Sequence, residues 1–131
     1  MRTENAPAGD YAEFLVATAL GGVLAPNSEK GYDVLADGIR LQVKSRVVSD
    51  PPRSGQLQLS VFRSFDFDEG VIVLLDDHDH GVRQAVRVPV EELPAVAVRD
   101  GHVNGHRVHA RPASMSGLHA VDISTLLWGV T

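Results

Sequence analysis

The spacing of apolar and polar positions changes several times along this 131-residue chain, and each spacing predicts an element. From Gly9 to Gly22 the run GDYAEFLVATALGG is apolar or small around the whole circumference of a helix, so a buried helix is expected. Asp10 is placed to cap its start and Gly21-Gly22 to stop it. Residues 1–8 are polar, contain Pro7 and are expected to be flexible. After the loop APNSEKG, Tyr32–Ala36 and Ile39–Val48 read as strands joined by a two-residue hairpin at Asp37-Gly38. SDPPRSG is a loop stiffened by Pro51-Pro52, and Gln56–Arg63 alternates as a third strand. Gly70–Asp77 is a continuous apolar run, expected as a strand buried on both faces. Val82–Val90 alternates, and Pro89 confines it to a sheet edge or a strand end. EELPAVAV fits a helix or a loop, and Asn104-Gly105 predicts a second hairpin turn. VDISTLLWGV predicts a short helix, capped by Asp122 or Ser124 and packing Leu126, Leu127 and Trp128. One helix, then strands, then a mixed remainder predicts an α/β (α+β) sandwich with a mixed sheet. The length suits one domain over 1–131, with 93–131 a C-terminal extension of unassigned role.

Between Tyr11 and Val23 the only charged residue is Glu13. A carboxylate on a buried helix costs several kcal/mol unless it is paired, protonated or metal-bound. The alternative is that Glu13 faces solvent in the first turn and complements the helix dipole. Strand alternation adds a second observation. Ile39, Leu41 and Val43 share one face, while Gln42, Lys44 and Arg46 share the other. On the partner strand Tyr32, Val34 and Ala36 share a face, and Asp33 points the opposite way. A tight turn at Asp37-Gly38 sets Ala36 opposite Ile39 and Val34 opposite Leu41. Asp33 then falls opposite Gln42 on the same face, which gathers a carboxylate, an amide and an ammonium into one patch.

The stretch GYDVLADGIRLQVKSR, with Glu13 on the preceding helix, resembles the PD-(D/E)XK nuclease superfamily of restriction endonucleases and Holliday-junction resolvases. The resemblance covers residues 9–48 and weakens to Asp77. It implies a restriction-endonuclease-like core, a mixed β-sheet flanked by helices. It also implies that Glu13 matches the helix glutamate, Asp33 the strand aspartate, Gln42 the variable acid or amide, and Lys44 the lysine. Gln42 is a departure, because that position is usually acidic, and it leaves two carboxylates. One metal ion is then expected rather than two. The implied cofactor is Mg2+, with Mn2+ as a substitute, held by Asp33, Glu13 and Gln42. A hard, octahedral ion of this kind takes few carboxylates and keeps waters and phosphate oxygens. Lys44 would hold the attacking water or contact the scissile phosphate.

Composition narrows this picture. The net charge is −5, which speaks against a protein that coats nucleic acid broadly. Arg40 to Arg63 nevertheless carries +4 and the remainder −9, so Arg40, Arg46, Arg53 and Arg63 are candidates to contact a phosphate backbone. The alternative is that these arginines only decorate strand edges. The absence of cysteine excludes disulfides, thiolate zinc sites and a cysteine nucleophile. Neither a membrane-length apolar run nor a signal pattern is present, so the cytoplasm is expected. The cluster Asp76, Asp77, His78, Asp79, His80 is read as a solvated hairpin tip, since adjacent strand residues splay apart. His102, His106 and His109 lack an acidic second shell for zinc; contact with phosphates beside Arg107 and Arg111 is the functional alternative. Ser114 and Ser116 near His119 have no nucleophile elbow. The expected function is a nuclease acting on duplex or branched DNA, with a homodimer suited to cutting two strands. The alternatives are a non-catalytic nucleic-acid-binding or regulatory module, and an interaction subunit of a defence or repair assembly.

Overall fold

A computed structural model describes residues 6–26, 31–59, 62, 65–100, 105–108 and 119–130, without the side chains of 6, 7, 54, 95–100, 106 and 107. Helix α1 (Ala6–Ala19) begins earlier than its apolar pattern suggested. Pro7 is tolerated in the first turn, where a missing N–H breaks no helical bond, so residues 6–8 join the helix. Asp10 therefore lies inside the helix on its exposed side and is not the cap. The helix stops where Gly21 takes a φ of 66°. Gly22 N–H donates to Ala17 O at 2.8 Å and Gly21 N–H to Thr18 O at 3.3 Å, the paired bonds of a Schellman ending. All-round burial is not observed: Ala12, Leu15, Val16 and Ala17 are buried, but Phe14 is 52% exposed. A helix lying on one layer of sheet keeps a solvent side whatever its composition.

The strands are β1 (Val23–Leu24), β2 (Val34–Ala36), β3 (Ile39–Val48), β4 (Glu69–Asp76), β5 (Val82–Pro89), β6 (Ala97–Asp100), β7 (Gly105–Val108) and β8 (Val121–Asp122), followed by helix α2 (Ser124–Trp128). They form a six-stranded mixed sheet in the order β1-β2-β3-β4-β5-β8 and a separate β6-β7 pair. Only β3 and β4 run parallel; the other neighbours are antiparallel. Asp37 (φ 51°) and Gly38 (φ 76°) both adopt positive φ, as a type I′ hairpin turn requires. The pairing is Ala36 with Ile39 and Val34 with Leu41, as the turn predicts.

Two hydrophobic clusters sandwich the sheet. Ala12, Leu15 and Val16 of α1 and Leu127 of α2 pack with Val34, Leu41, Val43, Val71 and Val73 on one face. Ile72, Leu74, Val86 and Val88 meet Leu59, Phe62, Phe67, Leu93 and Val108 on the other. Strand β4 feeds both clusters, so it is buried on both faces as its uninterrupted apolar run implies. Among the described residues no helix is long and apolar enough to cross a membrane.

Several expectations change in three dimensions. Tyr32 packs against the second cluster while Val34 and Ala36 pack in the first, so these three do not share a face and β2 starts only at Val34. Of the expected strand Gln56–Arg63, Gln56 and Leu57 belong instead to the 3-10 turn Ser54–Leu57, and among its other described residues Gln58 and Phe62 make isolated strand bridges. Gln56 Oε1 holds that turn, accepting from Ser49 N–H at 3.0 Å and Arg53 N–H at 2.9 Å. Leu59 and Phe62, three apart, then reach the same cluster, which a regular strand would forbid. Val90–Val96 is a 3-10 helix. In the β6-β7 hairpin Asp100 pairs with Gly105, so Asn104-Gly105 is not the two-residue turn. His106 accordingly pairs with Arg99 across that ladder rather than with His102. Helix α2 has Ile123 at its N-cap position with no side-chain cap. Ser124 N–H donates to Asp122 Oδ1 at 2.8 Å, and Ser124 Oγ accepts from Ala85 N–H at 2.9 Å. Leu127 is buried, but Leu126 and Trp128 are half exposed because α2 borders the sheet edge.

Candidate active site

The local sequence builds an open edge on β3. Strand β2 pairs with β3 only as far as Leu41, and Asp33 N–H continues with one bond to Leu41 O at 2.7 Å. Beyond it the N–H of Val43 has no strand opposite, and the Asp33 carboxylate takes that place. Asp33 Oδ2 accepts from Val43 N–H at 2.7 Å and from Gln42 Nε2 at 3.3 Å. The expected meeting of Asp33 with Gln42 is therefore a direct contact. Gly31 sets the approach: at φ 96° it passes so close to Asp66 O that an added Cβ would lie 2.8 Å from it. Gly31 thus lies beside Asp66, and Tyr32 packs on the cluster that also holds Phe65 and Phe67.

Gln42 and Lys44 alternate with Leu41 and Val43, and so project on the face opposite α1. Lys44 Nζ lies 5.0 Å from the centroid of the Phe62 ring, a cation–π contact. Phe62 stacks in turn on Phe65 and Phe67, each with centroids 5.8 Å away. Glu13 is half-buried on α1, one turn before Val16 and Ala17 of the buried stripe. Its helix covers one face of the sheet and Lys44 stands on the other, with Asp33 at the edge between them. Asp33 and Gln42 meet there directly and Lys44 follows Gln42 on the same face of β3, whereas Glu13 belongs to the helix on the opposite face.

The basic stripe is used differently along its length. Arg40 N–H donates to Asp68 Oδ2 at 2.8 Å, and its guanidinium forms ion pairs of 3.4 Å with Asp68 and with Asp66. The side-chain hydrogen bond to Asp68 raises the Arg40 pKa further, and Arg40's backbone N–H, followed by its side chain, holds the Asp68 carboxyl below its ordinary value. Arg46 Nη1 donates to Gln58 O at 2.8 Å and Nη2 to Gly55 O at 3.4 Å, which ties the 3-10 turn to β3. Arg53 is exposed. Arg63, His102, His109, Arg111, Ser114 and Ser116 lie outside the described residues.

The oxygen donors at this edge are hard ones, the Asp33 carboxylate and the Gln42 amide with the Glu13 carboxylate on the adjoining helix. Their chemistry fits magnesium, which needs few protein ligands and fills its shell with water and phosphate. Among the described residues no three His, Cys, Asp or Glu side chains form a metal-binding group, and none is required for such an ion. The tip Asp76–His80 is exposed from Asp77 onward. Asp76 Oδ1 accepts from His78 N–H and Asp79 Oδ1 from Gly81 N–H, both at 2.8 Å. His119 pairs with Glu92 at 2.7 Å, and its backbone N–H is the main cause of the lowered Glu92 pKa.

The aromatic wall around Lys44 is the feature that a reading by strand alternation missed. Its signal is the spacing of Phe62, Phe65 and Phe67, of which the expected strand Gln56–Arg63 takes in only Phe62. Comparison of the sequence with protein-family models and with curated proteins returns no match.

Proposed function

We propose that this chain is a metal-dependent nuclease that hydrolyses DNA phosphodiester bonds by activated water, on a restriction-endonuclease-like core. The observation that carries this reading is the Asp33 carboxylate, bonded to Val43 N–H and Gln42 at the open edge of β3, two residues before Lys44 on the same strand. The element order supports it as well: a helix with Glu13, then Asp33 ahead of a hairpin, then Gln42-x-Lys44 on the returning strand.

Asp33 and Gln42, with Glu13, would hold Mg2+, which when bound supplies an acidified water and neutralises phosphate charge. Two hydrogen bonds fix the Asp33 carboxylate in advance, so little side-chain reorganisation accompanies ligation. The Phe62 ring restrains the Lys44 ammonium, which orients the water or binds the phosphate. The water oxygen would form the new P–O bond as its proton passes to solvent, the bond to the leaving oxygen would break, and that oxygen would take up a proton from solvent. Two such sites in a homodimer would cut both strands of DNA. The cytoplasm remains the proposed compartment.

The test is magnesium- or manganese-dependent nicking of plasmid DNA by the parent chain, with Lys44→Ala and Asp33→Ala as controls. Nicking that vanishes in both variants upholds the proposal. A second reading, a non-catalytic nucleic-acid-binding module, draws support from the Gln42 amide, which donates to Asp33 through Nε2 as a structural bond does. DNA retention that survives both substitutions, with no cleavage in either ion, would establish that reading instead.

A further inference from the structure

We propose that the half-buried rings of Tyr32 and Phe65 form a stacking platform for an unpaired base beside Lys44, directing the site to single-stranded DNA. This inference rests on the nuclease reading, because it takes the Lys44 edge as the place of the scissile phosphate.

Phe62 and Phe67 are buried, while Phe65 is the half-buried member of the trio, stacked on Phe62 at an interplanar angle of 23°. Phe65 lies against both buried rings, 5.8 Å from Phe62 and 6.3 Å from Phe67, and Phe62 carries Lys44 Nζ at 5.0 Å. Tyr32 directly precedes Asp33, packs on the same cluster and is likewise half-buried. The close approach of Gly31 to Asp66 O holds these two segments side by side. Tyr32 thus adjoins the carboxylate residue in sequence, and Phe65 adjoins the ring that carries the ammonium.

Electrostatics narrows the ligand. Arg40 is engaged by Asp66 and Asp68, and Arg46 by backbone carbonyls, so neither presents a bare cation to phosphate. Asp66, whose side chain is 78% exposed, places negative charge next to Phe65. The second backbone of a duplex would meet that charge, and its bases would already be stacked within the helix. A single strand offers open π-faces and one line of phosphates, so stacking supplies affinity that Arg40 and Arg46, engaged within the chain, do not.

Binding is measured by fluorescence anisotropy in EDTA, where no cleavage occurs. The probes are a short labelled single strand and the blunt duplex of the same sequence. The expected result is tighter binding of the single strand by the parent chain. Tyr32→Leu and Phe65→Leu should each weaken that binding by about ten-fold and leave duplex binding unchanged. Tyr32→Phe, which keeps the ring, should bind as the parent does. Equal binding by the leucine variants, or a parent preference for duplex, overturns the proposal. Should either leucine variant fail to fold, Phe65→Trp gives a second readout. Quenching of its emission by the single strand upholds the platform, and unchanged emission overturns it. Failure of the two readings is separable. Magnesium-dependent nicking that is indifferent to both ring substitutions removes the platform and leaves the nuclease. Ring-dependent single-strand binding without cleavage in magnesium or manganese keeps the platform and removes the nuclease.

Discussion

Two stretches of this chain concentrate acidic side chains near other chemical groups, and the fold uses them in opposite ways. At the tip between β4 and β5, Asp76, Asp77, His78, Asp79 and His80 are crowded in sequence. There Asp76 and Asp79 each accept an N–H only two residues along, and Asp76 also pairs with Arg83 of the adjoining strand at 3.9 Å. At the edge of β3 the acid is a single Asp33, and its carboxylate reaches Gln42 and Val43, nine and ten residues away. Density of ligand-type residues in sequence thus produced local Asx-type turns. Convergence in space came instead from strand register. A hairpin that fixes register delivers functional groups to one point, whereas a turn consumes them.

The largest expected effect sets these regions directly against each other. Asp33→Ala and Lys44→Ala should each lower magnesium-dependent cleavage by about a hundred-fold or more, the loss typical of removing one preorganised charge from an active site. Asp76→Ala and Asp79→Ala should leave cleavage within about two-fold. Comparable losses at the tip would erase the distinction drawn here. Asp33→Asn sharpens it, since an amide oxygen still accepts the Val43 N–H but carries no charge. That variant should stay folded in thermal melts while losing activity.

Next in size is the core beneath the edge. Leu41 is fully buried between α1 and the sheet, opposite Val34 in the hairpin register. Leu41→Ala should destabilise the chain by about 2–5 kcal/mol in urea unfolding, through lost burial and a residual cavity. A cost below about 1 kcal/mol would show that the register is held elsewhere. Gly38→Ala is expected to cost about 1 kcal/mol, because Gly38 sits at a φ of 76° where a Cβ is strained.

The smallest effect is electrostatic. Arg40 holds the folded-state pKa of Asp68 below its unfolded value, so this pair contributes stability above the ordinary carboxylate range. That contribution is lost as pH falls below about 4, through the depressed folded value. Denaturant midpoints measured across this acidic window should fall for the parent chain and fall less for Asp68→Asn. Identical slopes would remove the Arg40–Asp68 pair as a source of acid sensitivity.

Much of the edge was legible beforehand. The Asp37-Gly38 pair names a type I′ turn, the turn fixes which residues pair, and the pairing brings Asp33 to Gln42. Each step is local, so each survives without tertiary information. The segment after β3 was not legible in this way. Alternation at Gln56–Arg63 resembles a strand, but Arg46 of β3 bonds the carbonyls of Gln58 and Gly55, and Leu59 N–H donates to Val108 O far along the chain. The outer face of α1 was misread for a related reason. Phe14 is apolar, and nothing in sequence says that no layer covers it.

The sequence by itself determined the elements whose stability is local or nearly so. These are the Gly21 helix stop, the β2-β3 turn and its register, and the two-sided burial of β4 from an unbroken apolar run. Tertiary structure alone decided that β3 runs parallel to β4, that Arg40 and Arg46 bind groups of this chain, and that three phenylalanines collect beside Lys44. The physical reason is range. Backbone preferences and turn geometry act over a few residues, whereas ion pairing and ring packing depend on groups that only the completed sheet brings within reach.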